Sequence, residues 1–237
     1  MADHLTEEEQ IEAIKRWWDN NWLNVVVPIV AAALIYTGWN FWNDHKEKQA
    51  EAASDEYQAL IELIQPAGPA AFDDALKAEA GALATDIQTK YQGTMYADLA
   101  TMISARIAVQ DQDYATAVSL LEGIVETESN EALVAVAQAR LARALVQTGE
   151  LDQALSLVVT TQSEAVKALY AEIRGDIYVA KNEPANARTA YNQAIGSLSG
   201  QQYAQRSILQ FKLDGLPADE AVEAEAAAVV AEEAAQG

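Results

Sequence analysis

The longest uninterrupted apolar stretch of the chain runs from Trp22 to Trp42 and contains no Lys, Arg, Asp or Glu. Twenty-one residues of α-helix cover roughly 30 Å, which is the thickness of the hydrocarbon layer of a bilayer. Aromatic side chains, which favour the headgroup region, flank the stretch at both ends: Trp17, Trp18, Trp22, Tyr36, Trp39, Phe41 and Trp42. The pattern predicts a transmembrane helix over residues 22–42 that ties the rest of the chain to a lipid bilayer.

Two other interpretations of this stretch, a buried core helix and a cleaved signal peptide, fit less well. A core helix is usually shorter and does not need aromatic residues at both ends. Cleavage after Ala31–Ala33 would fall inside the apolar stretch, and the preceding segment is acidic where a signal peptide is basic. We therefore expect an uncleaved anchor, preceded by a tail of residues 1–21 with a short amphipathic helix capped by Thr6.

Beyond residue 42 the apolar positions follow helical spacing, and no strand-like alternation of any length occurs. Residues 46–64 and 70–91 form two helical windows, and from Met95 onward the windows come in pairs. The second helix of each pair carries an alanine, and Ala117, Ala154 and Ala187 lie 37 and 33 residues apart. These spacings bracket the 34-residue period of tetratricopeptide repeats. The predicted fold class is therefore all-α, with a tetratricopeptide-like helical-hairpin solenoid after the anchor.

Other positions repeat in the same register. The first helix of each pair carries a small residue and then a second residue three positions later: Ala105 and Ala108, Ala142 and Leu145, Gly175 and Tyr178. Turns are expected at Gln112-Asp113, Gly149-Glu150 and Asn182-Glu183, and Leu121, Val158 and Tyr191 follow in the second helices. Small residues allow two antiparallel helices to approach closely, and stacked pairs then share one core. The repeat domain is expected over residues 43–216, closed by a capping helix over 203–213.

Composition narrows the class of function. Residues 43–237 carry 13 basic and 30 acidic side chains, a net charge of −17, so binding to nucleic acid is not expected. Residues 217–237 contain six acidic side chains and no Lys or Arg, which is typical of a disordered tail. Cysteine is absent, the two histidines lie far from ligand-type neighbours, and no phosphate loop or catalytic motif occurs. We expect a non-enzyme without a cofactor or metal.

The concave side of the repeat stack, lined by the first helix of each pair, is the predicted working surface. Its strip of apolar residues has two arginines toward one end and two acids toward the other, as expected for a groove that holds an extended polypeptide. The alternative, in which these side chains only pack against neighbouring repeats, is equally compatible with the pattern. The predicted groove residues are Leu99, Met102, Arg106, Val109, Val136, Ala139, Arg143, Val146, Leu169, Glu172, Asp176 and Val179.

Three segments in this order resemble the YfgM-like ancillary subunits of the SecYEG translocon of Gram-negative bacteria. They are the tail motif Glu12–Trp18, the end of the span at Gly38–Trp42, and the closing motif Leu209–Asp214. The resemblance implies a single-pass inner-membrane protein with a cytoplasmic N-terminus and a periplasmic repeat domain, an orientation that the flanking charges leave open. It also implies association with SecYEG and a PpiD-like chaperone, and transfer of unfolded secretory polypeptides to periplasmic chaperones.

Two other functions remain compatible with the residues alone. The first is a membrane-tethered envelope scaffold whose groove binds one fixed partner. The second is a stress-response regulator that acts through the N-terminal tail while the repeats sense the state of the envelope. Neither would require a catalytic residue.

Overall fold

A computed structural model describes residues 7–67, 72–128, 130–159, 163–200 and 202–217, and in those residues it contains nine α-helices and no strand. The helices are α1 (Glu7–Ile64), α2 (Asp74–Lys90), α3 (Met95–Gln110), α4 (Tyr114–Thr127), α5 (Glu131–Thr148), α6 (Leu151–Leu157), α7 (Glu164–Ala180), α8 (Pro184–Ser197) and α9 (Tyr203–Asp214). The predicted all-α fold is confirmed. The chain divides into two compact units, residues 1–52 and 53–237.

Helix α1 carries the predicted span, and its most apolar part is not buried anywhere. Of the described helices, it is the one whose length and composition suit a bilayer crossing. Leu34, Ile35 and Tyr36 are consecutive, so they point to different sides of the helix, yet each is about 70% exposed. The hydroxyl of Thr37 donates to the Ala33 carbonyl at 2.8 Å, which satisfies a polar group without external partners. The part of α1 that precedes the repeat domain therefore has the surface of a helix solvated by lipid and not that of a core helix.

The three predicted turns have the same backbone geometry. Gln112, Gly149 and Asn182 each adopt a left-handed conformation with φ of 60°, 87° and 59°. The amide of the following residue donates to the carbonyl oxygen five positions earlier. The nitrogen–oxygen distance is 2.8 Å for the Asp113 amide, 2.9 Å for the Glu150 amide and 2.8 Å for the Glu183 amide. This is the hydrogen bond of a Schellman helix ending, which reverses the chain between two antiparallel helices. The predicted repeats α3–α4, α5–α6 and α7–α8 are confirmed by these matching turns.

The small-residue positions lie at the centre of the repeat core. Ala117, Ala154 and Ala187 of the second helices are fully buried, and Ala105 and Ala142 of the first helices are buried too. A separate apolar cluster joins Leu60 and Ile64 of α1 to Phe72 and to residues of α2 and α3. At the far end, Leu209 of α9 packs on α8, as a capping helix should. Apolar clusters therefore lie along the whole stack of helix pairs, as expected of a solenoid.

Some predicted boundaries change. The window over 46–64 is not a separate helix, because α1 continues without a break from residue 7 to residue 64. Helix α2 begins at Asp74 and not at residue 70, since the Asp73 side chain accepts a hydrogen bond from the Leu76 amide at 2.8 Å and caps the helix there. The cap predicted at Thr6 and all but the first residue of the tail predicted over 217–237 lie outside the described residues.

Candidate functional site

Four of the predicted groove residues, Met102, Arg106, Val109 and Arg143, line one cavity of about 700 Å³ between α3, α4 and α5. The other lining residues are Ala105, Gln110, Tyr114, Leu121, Arg140, Ala144 and Gln147. Alanine, leucine and methionine form an apolar floor, and the guanidinium groups of three arginines lie among the lining. We call this cavity the three-arginine pocket.

The remaining predicted residues divide between the core and the surface. Met102 and Ala139 are buried, so the prediction that they are exposed is wrong, although Met102 still reaches the floor of the pocket. Leu99, Val136, Val146 and Leu169 are half-buried and pack against the central core, so part of this strip holds the repeats together. Val109 and Val179 are exposed. The continuous groove of the sequence prediction is thus reduced to one pocket on the first two repeats.

The charges of Arg106 and Arg143 act on Arg140, and Arg106 also contacts an aromatic ring. The Arg106 guanidinium carbon lies 4.2 Å from the centre of the Phe72 ring, a cation–π contact that fixes this side chain. Partial burial lowers the pKa of Arg140, and the charges of Arg106 and Arg143 lower it further. Arg140 was not among the predicted groove residues. Its position three residues before Arg143 on α5 places both on one helix face, and that spacing was the available signal.

The predicted acidic end of the groove is already occupied by the chain itself. Lys212 of α9 places its Nζ 2.8 Å from Oε1 of Glu172 and 2.8 and 2.9 Å from the two carboxylate oxygens of Asp176. The Tyr191 hydroxyl donates to Asp176 at 2.7 Å. Burial lowers the pKa of Lys212, but its hydrogen bonds and the charges of both carboxylates outweigh burial and raise it. Glu172 and Asp176 therefore anchor the capping helix.

Replacing Lys212 with methionine is expected to lower the free energy of unfolding by about 2 kcal/mol, because two half-buried carboxylates lose their shared cation. Urea titration of the detergent-solubilised chain, followed by circular dichroism, measures this loss. Lys167, whose exposed pair with Glu164 spans 3.1 Å, gives a matched control, and its replacement should cost under about 0.5 kcal/mol. Equal losses in the two variants would contradict the anchoring role.

A second cavity, of about 500 Å³, lies beside α3 and α4 and contains a pair of carboxyl groups. Burial raises the pKa of Asp98 to about 6, and a hydrogen bond from its carboxyl group to Glu128 and the charge of Glu128 act in the same direction. Two carboxylates this close favour sharing a proton. Sequence reasoning did not identify this pair, because its members are 30 residues apart in separate segments.

The pair makes stability depend on pH in a definite direction. The Asp98 pKa is higher in the folded chain than its ordinary value of 3.8, so its stabilising contribution is complete below pH 3.8 and is lost as pH rises through about 6. Asp98→Asn should therefore be more stable than the parent chain by about 1 kcal/mol at pH 7.5, a value reduced for solvent screening, and no more stable at pH 4. Thermal unfolding at both pH values measures this.

Asp113 supplies the control for that experiment. Its carboxylate caps α4 and accepts a hydrogen bond from Thr116, which lowers the pKa of Asp113. Its contribution is therefore present above its ordinary pKa and is lost on acidification, so the penalty of Asp113→Ala should be largest at pH 7.5 and should shrink as the pH is lowered. The proposed Asp98–Glu128 interaction would be contradicted if both variants changed with pH in the same direction.

Helix α9 presents an apolar outer face that the sequence prediction did not include. Leu209 points inward and is buried, whereas Tyr203, Ile208 and Phe211 are exposed, Phe211 to 81%. The capping helix thus covers the last repeat and adds an apolar surface of its own. In the described part of the chain, no group of three or more His, Cys, Asp or Glu side chains is placed to hold a metal ion.

Comparison with known proteins gives consistent matches over most of the chain. Residues 15–218 match the family model of the tetratricopeptide repeat-like domain. The chain is 30% identical over 216 residues to a Haemophilus influenzae protein named ancillary SecYEG translocon subunit, covering 91% of this chain and all of that protein. A protein of the same name from Aggregatibacter actinomycetemcomitans is 30% identical with the same coverage. The Escherichia coli K12 protein of that name is 29% identical over 197 residues, which is 83% of this chain and 91% of that protein. No solved structure gives a significant match.

Proposed function

The chain belongs to the family of ancillary SecYEG translocon subunits, and from that membership we propose that it is a membrane-anchored accessory protein of the export channel. Its proposed task is to receive secretory polypeptides as they emerge and to pass them to a PpiD-like chaperone. No step of this task requires catalysis. The observation that carries the proposal is the continuous helix α1, which joins an exposed apolar segment to the core of a repeat domain.

We propose an inner-membrane location with the N-terminus in the cytoplasm and the repeats in the periplasm. Two basic residues precede the span and two follow it closely, so the charge pattern does not select an orientation. The orientation follows from the family resemblance. The absence of cysteine is compatible with an oxidising compartment.

The three-arginine pocket is the proposed polypeptide contact. Its volume of about 700 Å³ accommodates a few side chains. Its apolar floor would give affinity for exposed hydrophobic residues, and its arginines would hold backbone carbonyls or acidic side chains. Such contacts tolerate many sequences, as handling of diverse secretory proteins requires.

A photoreactive amino acid placed at single positions in living cells tests the proposal. From Ile35, at the centre of the span, we expect adducts with channel subunits. From Val109, at the pocket, we expect adducts with many newly exported polypeptides. Phe211 lies in α9, outside the pocket. Adducts formed from Phe211 show how much crosslinking arises from any exposed position and so serve as the control.

Each result has a definite meaning. Absence of channel adducts from Ile35 and from neighbouring span positions would overturn the accessory-subunit role. A single folded partner at Val109, with no newly exported chains, would replace the polypeptide-transfer function with that of an envelope scaffold.

A further inference from the structure

The three-arginine pocket is an electropositive site on a strongly acidic protein. The whole chain has 36 acidic and 15 basic residues, yet the lining of the pocket includes three arginines and no Asp or Glu. Because arginine carries a permanent charge with five donors, three such groups around one cavity favour an anionic occupant. Because the floor of the pocket is apolar, the occupant should also carry small or medium apolar side chains.

In the described part of the chain, no anionic side chain neutralises Arg140. Among the described residues, none accepts a hydrogen bond from the Arg140 guanidinium or forms an ion pair with it. The groups whose charges affect the pKa of Arg140 are Arg106, Arg143 and the Tyr57 hydroxyl. Arg143 reaches Glu172 at the ion-pair limit of 4.0 Å and is itself exposed. An anion in the pocket would relieve the repulsion among the three arginines.

The chain carries a segment with matching chemistry. Residues 219–233 contain Asp219, Glu220, Glu223, Glu225, Glu232 and Glu233 among alanines and valines, with no Lys or Arg. The family match ends at residue 218, so this segment is an addition to the shared domain. Elsewhere the acidic surface of the domain repels it, which leaves the pocket as a favourable contact.

The origin and length of the segment permit this contact. The Arg188 guanidinium donates to the Pro217 carbonyl at 2.8 Å, which fixes the start of the segment beside α8. Twenty residues follow Pro217 and can extend about 65 Å. The last acidic residue of the segment, Glu233, lies sixteen residues beyond Pro217 and can extend about 50 Å from α8.

We propose that the three-arginine pocket binds the acidic C-terminal segment of the same chain, residues 219–233. Carboxylates of the segment pair with Arg140 and Arg143, and its valines and alanines cover the floor formed by Met102, Ala105 and Leu121. The bound segment occupies the surface proposed above for polypeptides, so it acts as an internal competitor. The segment can bind as described even if the pocket never receives a secretory polypeptide.

The absence of native cysteine allows a direct test on the full chain in detergent. One cysteine replaces Ala226 in the segment, and a second replaces Gln147 at the rim of the pocket. In a control pair the second cysteine replaces Asn192, an exposed residue of α8, the helix on which the segment starts. We expect mild oxidation to form the 147–226 disulfide within one chain, and to form it faster than the 192–226 disulfide despite the closer origin of the control.

Charge substitutions separate binding from simple proximity. Arg140→Gln combined with Arg143→Gln should slow formation of the 147–226 disulfide about tenfold. The reason is that the bound segment loses several ion pairs, each of which contributes under about 1 kcal/mol. Lys167→Gln, which removes one positive charge at an exposed site away from the pocket, should leave the rate unchanged. A synthetic peptide of residues 218–237 should compete with the reaction.

Three outcomes would overturn the proposal. The first is a 147–226 rate no greater than the control rate, and the second is a rate that does not depend on the arginines. The third is a disulfide found only between two chains, which would make the segment a contact between copies. Photo-crosslinking of secretory polypeptides from Val109, with and without residues 218–237, tests the polypeptide function separately, since that function can persist when the segment does not bind.

Discussion

Replacing Gly175 with alanine is expected to lower the free energy of unfolding by about 2–3 kcal/mol, a large effect for the addition of one methyl group. A β-carbon at this position would lie 2.3 and 2.4 Å from two carbons of the Tyr191 ring. The ring is buried, and its hydroxyl is held by Asp176, so it cannot move away without losing that hydrogen bond and its packing. Glycine is therefore required here by the close approach of α7 and α8.

Urea titration of the detergent-solubilised chain measures this loss. A β-carbon added at Gly196, in the neighbouring helix α8, would meet no other side chain or packed backbone atom within 4 Å. Gly196→Ala should therefore be neutral or raise stability by about 0.5–1 kcal/mol through the better helix propensity of alanine. In a double-mutant cycle, Tyr191→Leu should remove most of the penalty of Gly175→Ala. Equal effects of the two alanine substitutions would show that Gly175 is not in tight contact.

The repeats were predictable from sequence because their determinants are local. A turn residue able to adopt a left-handed conformation, the following helix start and a small residue at a fixed offset all lie within one helix pair. Gly149 and Asn182 are residue types that tolerate this conformation, and Gln112 follows the same geometry because its two flanking helices impose it. The sequence did not indicate which residue of α8 faces Gly175, the small residue of the third repeat. A second small residue was expected there, but the ring of Tyr191 packs on Gly175.

The candidate site was predicted less completely, because it depends on contacts between distant segments. Glu172 and Asp176 follow the groove spacing, but the cation that pairs with them is 40 and 36 residues away on α9. The half-buried valines and leucines of the strip illustrate a second difficulty. A residue on the concave face of a solenoid also touches the next repeat, so periodicity alone does not separate packing from binding. Alanine at Leu99, Val136 or Leu169 would therefore alter stability as well as any ligand contact.

Placing two arginines in the middle of the apolar stretch is expected to remove the chain from the membrane. Nine Leu, Ile, Val and Phe residues lie between Trp22 and Trp42, and at about −0.3 to −0.6 kcal/mol each they favour insertion by roughly 4 kcal/mol. One arginine at the centre costs about 2.5–3.5 kcal/mol, so Ala32→Arg should leave insertion marginal. Adding Ile35→Arg should abolish it, because two charges cannot both reach the headgroups from the middle of the span.

Extraction of membranes with alkaline carbonate measures this effect, since it releases proteins that do not span the bilayer. Ala32→Leu should remain in the membrane pellet, and Asn40→Arg should remain there too, because an arginine near the end of the span can extend its charge to the interface. The double arginine variant should move to the soluble fraction or be degraded. If it stayed in the pellet as firmly as the parent chain, residues 22–42 would not be the anchor. The channel-associated function would then have to rest on the repeat domain alone, since α1 would no longer hold that domain beside the bilayer.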